Sequence, residues 1–140
     1  MRYTLLTICS LFTIHYSLFT TSCGNAREKT YNEGAQLYKK HCSNCHGDDG
    51  TGLEELYPPL ANADMLQTLG ASAACVIQKG LKGKIVVNGI TFETGMEPVK
   101  NLSAIEITNI LNFIHNAWGN QREFIQLSEV EKILKHNKII

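Results

Sequence analysis

The chain has 140 residues, 44% of them hydrophobic, and its 13 basic side chains balance 13 acidic ones. That length suits one small domain plus an N-terminal segment, and the sequence contains no internal repeat. The balanced charge excludes the basic face that a nucleic-acid binder needs, and removal of a leader containing Arg2 leaves a slight acidic excess.

Residues 1–22 read as a secretory signal. Arg2 precedes an apolar stretch from Leu5 to Phe19, interrupted by Thr, Ser and His15, and the small residues Thr20, Thr21 and Ser22 lead into Cys23. A membrane-spanning helix wants about 20 predominantly apolar residues, and this run is shorter and more polar. An uncleaved anchor is the competing reading. A cysteine directly behind an apolar run and small residues resembles the lipobox of bacterial lipoproteins, with Thr20 standing where Leu is usual. The resemblance implies acylation of Cys23 as the mature N-terminus and an exported protein held by lipid at the periplasmic face of a membrane. An ordinary cleaved leader is the alternative. Polar residues 23–30 form a tether on either reading.

Residues 31–42 place Gly34, Leu37, Tyr38 and His41 at helical spacings and predict the first helix. It leads into Cys42-Ser43-Asn44-Cys45-His46, the C-x-x-C-H spacing that attaches a c-type haem. Two thiols one helical turn apart can add across the two vinyl groups at one edge of the porphyrin, and His46 is then placed as proximal iron ligand. A structural zinc site would want a second close cysteine pair, whereas Cys9, Cys23 and Cys75 are scattered. A dithiol redox motif would follow a strand, whereas the segment upstream reads as helix.

Residues 47–63 are loop, rich in Gly and Asp and containing Pro58-Pro59-Leu60. A helix is predicted from Asp64 to Gly80. Ile85 to Val87, Asn88-Gly89 and Ile90 to Phe92 signal a short hairpin. Ser103 with Glu106 forms a capping box for a long helix whose apolar face is Ile107, Ile110, Leu111 and Ile114, expected to end near Gly119. Residues 121–140 are expected to form a helical tail with Phe124, Leu127, Val130 and Leu134 as its apolar positions.

Taken in order, these motifs resemble the class I c-type cytochromes over residues 31–120. Gly34 and Tyr38 match the family's small and aromatic positions on the first helix, with Ile110 and Phe113 as their partners on the last. Pro58, twelve residues after His46, matches the family's Pro-x-Leu with Leu60, and there the proline carbonyl accepts a hydrogen bond from the ligand's second nitrogen. Pro59 is a close second for that role. Met96, in Gly95-Met96-Glu97-Pro98, occupies the family's distal-ligand loop. Met65, His41, His115 and His136 are weaker candidates, and Cys75 reads as a buried small hydrophobe.

The implied fold is all-α: a small cytochrome c domain wrapped around one covalent haem c, with crossed terminal helices and room for one short β-hairpin. The stretches Tyr57 to Ala61, Gly83 to Gly89 and Ala117 to Asn120 look like the small cytochrome domains that serve copper nitrite reductases, quinoprotein dehydrogenases and terminal oxidases. The implied function is one-electron relay between redox partner proteins, without a small-molecule substrate and without catalysis by the chain itself. The alternatives are a cytochrome subunit docked permanently in a larger oxidoreductase, with the tail as docking element, and a haem enzyme or gas sensor with a labile methionine.

Overall fold

A computed structural model describes residues 26–136. The chain is helical over residues 26–41 (α1), makes one turn at Ser43–His46 (α2), and continues as Asp64–Leu69 (α3), a 3₁₀ turn at Gly70–Ser72 and Ala73–Lys79 (α4). Strands Ile85–Val87 (β1) and Ile90–Phe92 (β2), then helices Ala104–Ile114 (α5) and Leu127–His136 (α6), complete it. The strands pair antiparallel with Ile85 opposite Phe92 and Val87 opposite Ile90. Asn88 and Gly89 turn the chain with φ of 51° and 80°, as a two-residue hairpin of the right hand requires.

Helix α5 is the spine. Its capping box is formed as its sequence implies: Ser103 Oγ accepts from the Glu106 backbone, and the Glu106 carboxylate accepts from the Ser103 backbone at 2.8 Å. Ile107, Ile110, Leu111 and Ile114 are all buried. On one side α1 crosses it so closely that a methyl on Gly34 would run into the Asn109 carbonyl and lie 2.8 Å from Phe113 Cβ. Around that crossing Phe113 meets Tyr31, Tyr38 and Trp118 with ring centroids 5.2, 5.3 and 5.2 Å apart, tilted or edge-on geometries that suit aromatic quadrupoles. Phe113 is the aromatic partner expected for Gly34 and Tyr38. Ile110 is buried in the same core cluster as Tyr38 and also lines a cavity.

Four elements depart from expectation. Helix α1 begins no later than residue 26, inside the stretch read as tether. Thr30 Oγ1 donates to the Ala26 carbonyl at 3.0 Å, and Arg27 lies 5.4 Å over the Phe124 ring, so tertiary contact extends the helix. The helix predicted over 64–80 is broken at Gly70, whose φ of 53° is outside the helical region. The Arg122 guanidinium lies where a side chain at 70 would project, and Gly70 O accepts from His115 Nε2 at 3.3 Å. Both partners are remote in sequence, and only glycine meets the backbone and the space at once.

Helix α5 stops at Ile114 rather than near Gly119. Asn116 donates from its side chain to Asn112 O at 3.0 Å, and buried Asn120 donates to Ile114 O at 2.7 Å. These amides satisfy the terminal carbonyls that a longer helix would have used. The tail has no regular secondary structure until Leu127, rather than being helical from 121. Asn112 exchanges two hydrogen bonds with the Ile125 backbone, at 3.0 and 2.8 Å, pinning this run along α5. Beyond it, Val130 of α6 is fully buried, and Ile133 and Leu134 pack on the same core, with α6 in contact with α4, α5 and the 3₁₀ turn.

Candidate functional site

The proximal wall is local structure. Helix α1 runs out at Cys42, whose amide donates to Tyr38 O at 2.8 Å, and the turn α2 sets Cys42, Cys45 and His46 on one side of the chain. Cys42 is half-buried and Cys45 exposed. The following loop then folds back over the turn. Gly52 donates to His46 O at 2.9 Å, while Leu60 and Ala61 both donate to Gly50 O, at 2.7 and 2.9 Å. Buried Tyr38 completes the enclosure through its hydroxyl, which donates to Gly47 O at 2.6 Å.

That fold-back brings Pro58 to His46. His46 Nδ1 lies 2.9 Å from Pro58 O, and since a carbonyl only accepts, Nδ1 carries the proton and Nε2 is left with its lone pair. Pro58 rather than Pro59 makes this contact. Burial lowers the His46 pKa below the ordinary value of 6.5, with the Pro58 bond opposing, so the ring is held neutral as a metal ligand must be. Burial, and then the neighbouring Cys45, push the Cys42 thiol up to about 12. A dithiol redox centre needs a lowered thiol pKa, so Cys42 lacks that signature.

The distal wall comes from the other half of the chain. Leu81 and Met96 face each other in an isolated antiparallel bridge, each amide donating to the other's carbonyl at 2.9 Å. This places Met96 on the same cavity as Cys42, Cys45, His46, Pro58 and Leu60. The cavity has a volume of about 620 Å³, within the roughly 300–1,000 Å³ range of sites that take a cofactor-sized ligand. Leu66, Val76, Ile77, Ile85, Ile110 and Ile114 are among its apolar linings.

The weaker candidates separate by position. Met65 and His41 also line the cavity, whereas His115 is buried at the α5 terminus and His136 is exposed on α6. Cys75 is fully buried in α4. Cys23 lies outside the described residues. Among the described residues no three His, Cys, Asp or Glu side chains converge as a metal site, so the zinc reading finds no ligand set there.

Sequence reasoning missed the residues that hold the walls in place. The Leu81 backbone carries no sequence signal for its pairing with Met96, and nothing in a tyrosine announces that its hydroxyl will reach Gly47. Asn120 was legible only as part of a resemblance. Its side chain donates to Leu60 O at 2.9 Å and accepts from Asn62 N at 2.9 Å, tying the Pro58 loop to the end of α5.

The residues fit a covalent haem: adjacent thiols, a neutral imidazole whose Nδ1 is taken by Pro58 O, and a methionine, all on one cavity lined mostly by apolar side chains among the described residues. Comparison with known proteins agrees. The cytochrome c family model matches residues 31–118. Cytochrome c-552 of Thermus thermophilus is 34% identical over 95 residues, 65% of this chain and 72% of that one. The cytochrome c subunit of the quinone alcohol dehydrogenase of Gluconobacter oxydans (strain 621H) is 33% identical over 106 residues, 73% of this chain and 22% of that subunit. The corresponding subunit of Gluconacetobacter polyoxogenes is 31% identical over 96 residues, 63% of this chain and 19% of that one, so the chain spans about a fifth of these longer proteins. The chain belongs to the cytochrome c family, an electron carrier with covalently bound haem c.

Proposed function

We propose that Cys42 and Cys45 hold the haem through two thioethers, that His46 Nε2 ligates the iron from one face, and that Met96 Sδ ligates it from the other. The single observation that carries this reading is the His46–Pro58 hydrogen bond of 2.9 Å, which leaves Nε2 free on the cavity that Met96 also lines. Bound there, the haem supplies one-electron Fe(III)/Fe(II) exchange. Pro58 fixes the imidazole tautomer and raises its basicity. Leu60 and the apolar lining exclude water and favour the less charged reduced state. With His46 and Met96 both holding the iron, the site would leave no position for a substrate, which favours outer-sphere electron transfer.

Electrons enter and leave at the edge of Cys45. That cysteine is exposed, and Leu53 and Leu56, 52% and 47% exposed, stand on the loop bonded to His46 through Gly52. A small apolar contact area suits a short-lived redox encounter. The chain is exported and anchored by acylated Cys23 at a periplasmic membrane face, where it relays electrons between oxidoreductases. Among the described residues no helix is long and apolar enough to cross a membrane.

Similarity to the quinone alcohol dehydrogenase subunits favours a second reading, a cytochrome docked in a larger complex. On that reading the docking element is not the apolar face of α6, because Val130, Ile133 and Leu134 are spent on the domain itself. The test of the principal reading is acid-acetone extraction of the matured protein. Haem should stay on the polypeptide, and replacing Cys42 and Cys45 together by Ala should send it to the organic phase. Free extractable haem in the parent protein would reject covalent attachment through these residues.

A further inference from the structure

The segment from Leu81 to Met96 is held by the burial of Val87 and Phe92 in the core and by hydrogen bonds at two places. Its base is the Leu81–Met96 bridge, two backbone bonds of 2.9 Å. Its tip is the Asn88-Gly89 turn, and there the pairing is equally reciprocal: Asp64 N donates to Asn88 Oδ1 at 3.0 Å, and Asn88 N donates to Asp64 Oδ1 at 2.8 Å. The same Asp64 Oδ1 accepts from Met65 N at 2.7 Å, so the carboxylate is held in place by the start of α3. Between these ties, Ile85 and Val87 of β1 line the haem cavity opposite Met65, Leu66 and Leu69 of α3. The hairpin is therefore a flap laid over α3, with Met96 four residues beyond its last strand residue.

From this geometry we infer that Asp64 and Asn88 form a clamp that keeps the flap closed and thereby keeps Met96 on the iron. The inference rests on the assignment of Met96 as distal ligand. Neither residue lines the cavity, and both are exposed at the surface; they act as positioning residues. The physical case is one of loop closure. Opening of the hairpin must also lift Val87 and Phe92 out of the core, and Met96, bonded to Leu81 at the base, is freed only when that motion reaches the bridge. Two side-chain to backbone hydrogen bonds at the tip oppose the first step of that opening. Dissociation of Met96 requires the open form, so the fraction of open molecules multiplies the apparent affinity of any external ligand that competes for the iron.

The experiment uses the ferric holoprotein titrated with imidazole, following loss of the far-red sulfur-to-iron charge-transfer band. Asn88→Gly removes the side-chain acceptor while keeping a residue that adopts φ of 51° freely. Asp64→Ala removes the other acceptor, and Asp64→Asn keeps one, because an amide oxygen can receive both backbone donors. Asn88→Gly and Asp64→Ala should each raise the imidazole association constant about tenfold, the double variant should not exceed either single one by more than about twofold, and Asp64→Asn should stay within twofold of the parent. Equal imidazole binding by the parent and Asn88→Gly would overturn the clamp, as would an equal rise in Asp64→Asn. A parent protein without the far-red band would instead refute Met96 as ligand, an outcome separable from failure of the clamp.

Discussion

Leu81 and Met96 hold each other by two backbone hydrogen bonds of 2.9 Å, so the methionine on the haem cavity is positioned by its main chain and not by its side chain. Substituting the side chain should therefore leave the loop in place and change only the chemistry at the iron. Met96→Ala should abolish the far-red band of the oxidised protein and lower the reduction potential, with folding nearly intact by circular dichroism. Met65 also lines the cavity, and Met65→Ala should retain the band. The reverse pattern would assign the iron to Met65.

The crossing of α1 on α5 makes Gly34 intolerant of any side chain. Its ideal Cβ would overlap the Asn109 carbonyl, which is backbone and cannot rotate away, and would lie 2.8 Å from Phe113 Cβ. Gly34→Ala should destabilise the holoprotein by about 2–3 kcal/mol, the range of overpacking in a tight interface. Guanidinium denaturation followed by Trp118 fluorescence measures this. A variant as stable as the parent would show that the helices are not in contact at this point.

His115 supplies a pH dependence. It is fully buried, its Nε2–H donates to Gly70 O, and its Nδ1 has no hydrogen-bond partner. Burial lowers its pKa below the ordinary 6.5, the Gly70 bond opposes this, and the Arg122 charge adds to the lowering. A histidine that protonates in the unfolded chain but not in the folded one contributes stability fully present above about pH 6.5 and lost as pH falls toward the lowered folded value. The loss can reach about 1.4 kcal/mol per pH unit in that window. Thermal melts between pH 7.5 and 5 should show the fall, and His115→Gln, which can still donate to Gly70 O, should flatten it. An unchanged slope in the variant would assign the acid sensitivity elsewhere.

Cys23 decides whether the carrier is tethered. Mass spectrometry of natively expressed protein should find a mature chain that begins at acylated Cys23, because tethering replaces dilute encounter with a raised effective concentration near membrane oxidoreductases. Cys23→Ser should prevent acylation and release or misprocess the protein while its visible spectrum stays that of the parent. An unmodified N-terminus on native soluble protein would reject the lipid anchor and leave electron transfer untouched.

The sequence by itself determined the chemistry that is local. Cys42, Cys45 and His46 lie within about one helical turn, so their spacing alone points to haem attachment, and the capping box and the Asn88-Gly89 turn are likewise written in neighbouring residues. Phe113 as the partner of Gly34 and Tyr38, and Pro58 as the partner of His46, were legible by resemblance, since such pairings across many residues leave no local mark. The tertiary structure decided what depends on remote contact. Gly70 breaks an apolar run that reads as continuous helix because Arg122 and His115 meet it from the end of the chain. Helix α1 reaches into the expected tether, where Arg27 finds Phe124. Amphipathicity marked α6 as having an apolar face, but periodicity names no partner, and only packing assigned Val130 to the domain's own core. The Asp64–Asn88 pair shows the same limit: a residue at a helix start and one in a hairpin turn signal nothing until the fold brings each backbone to the other's side chain.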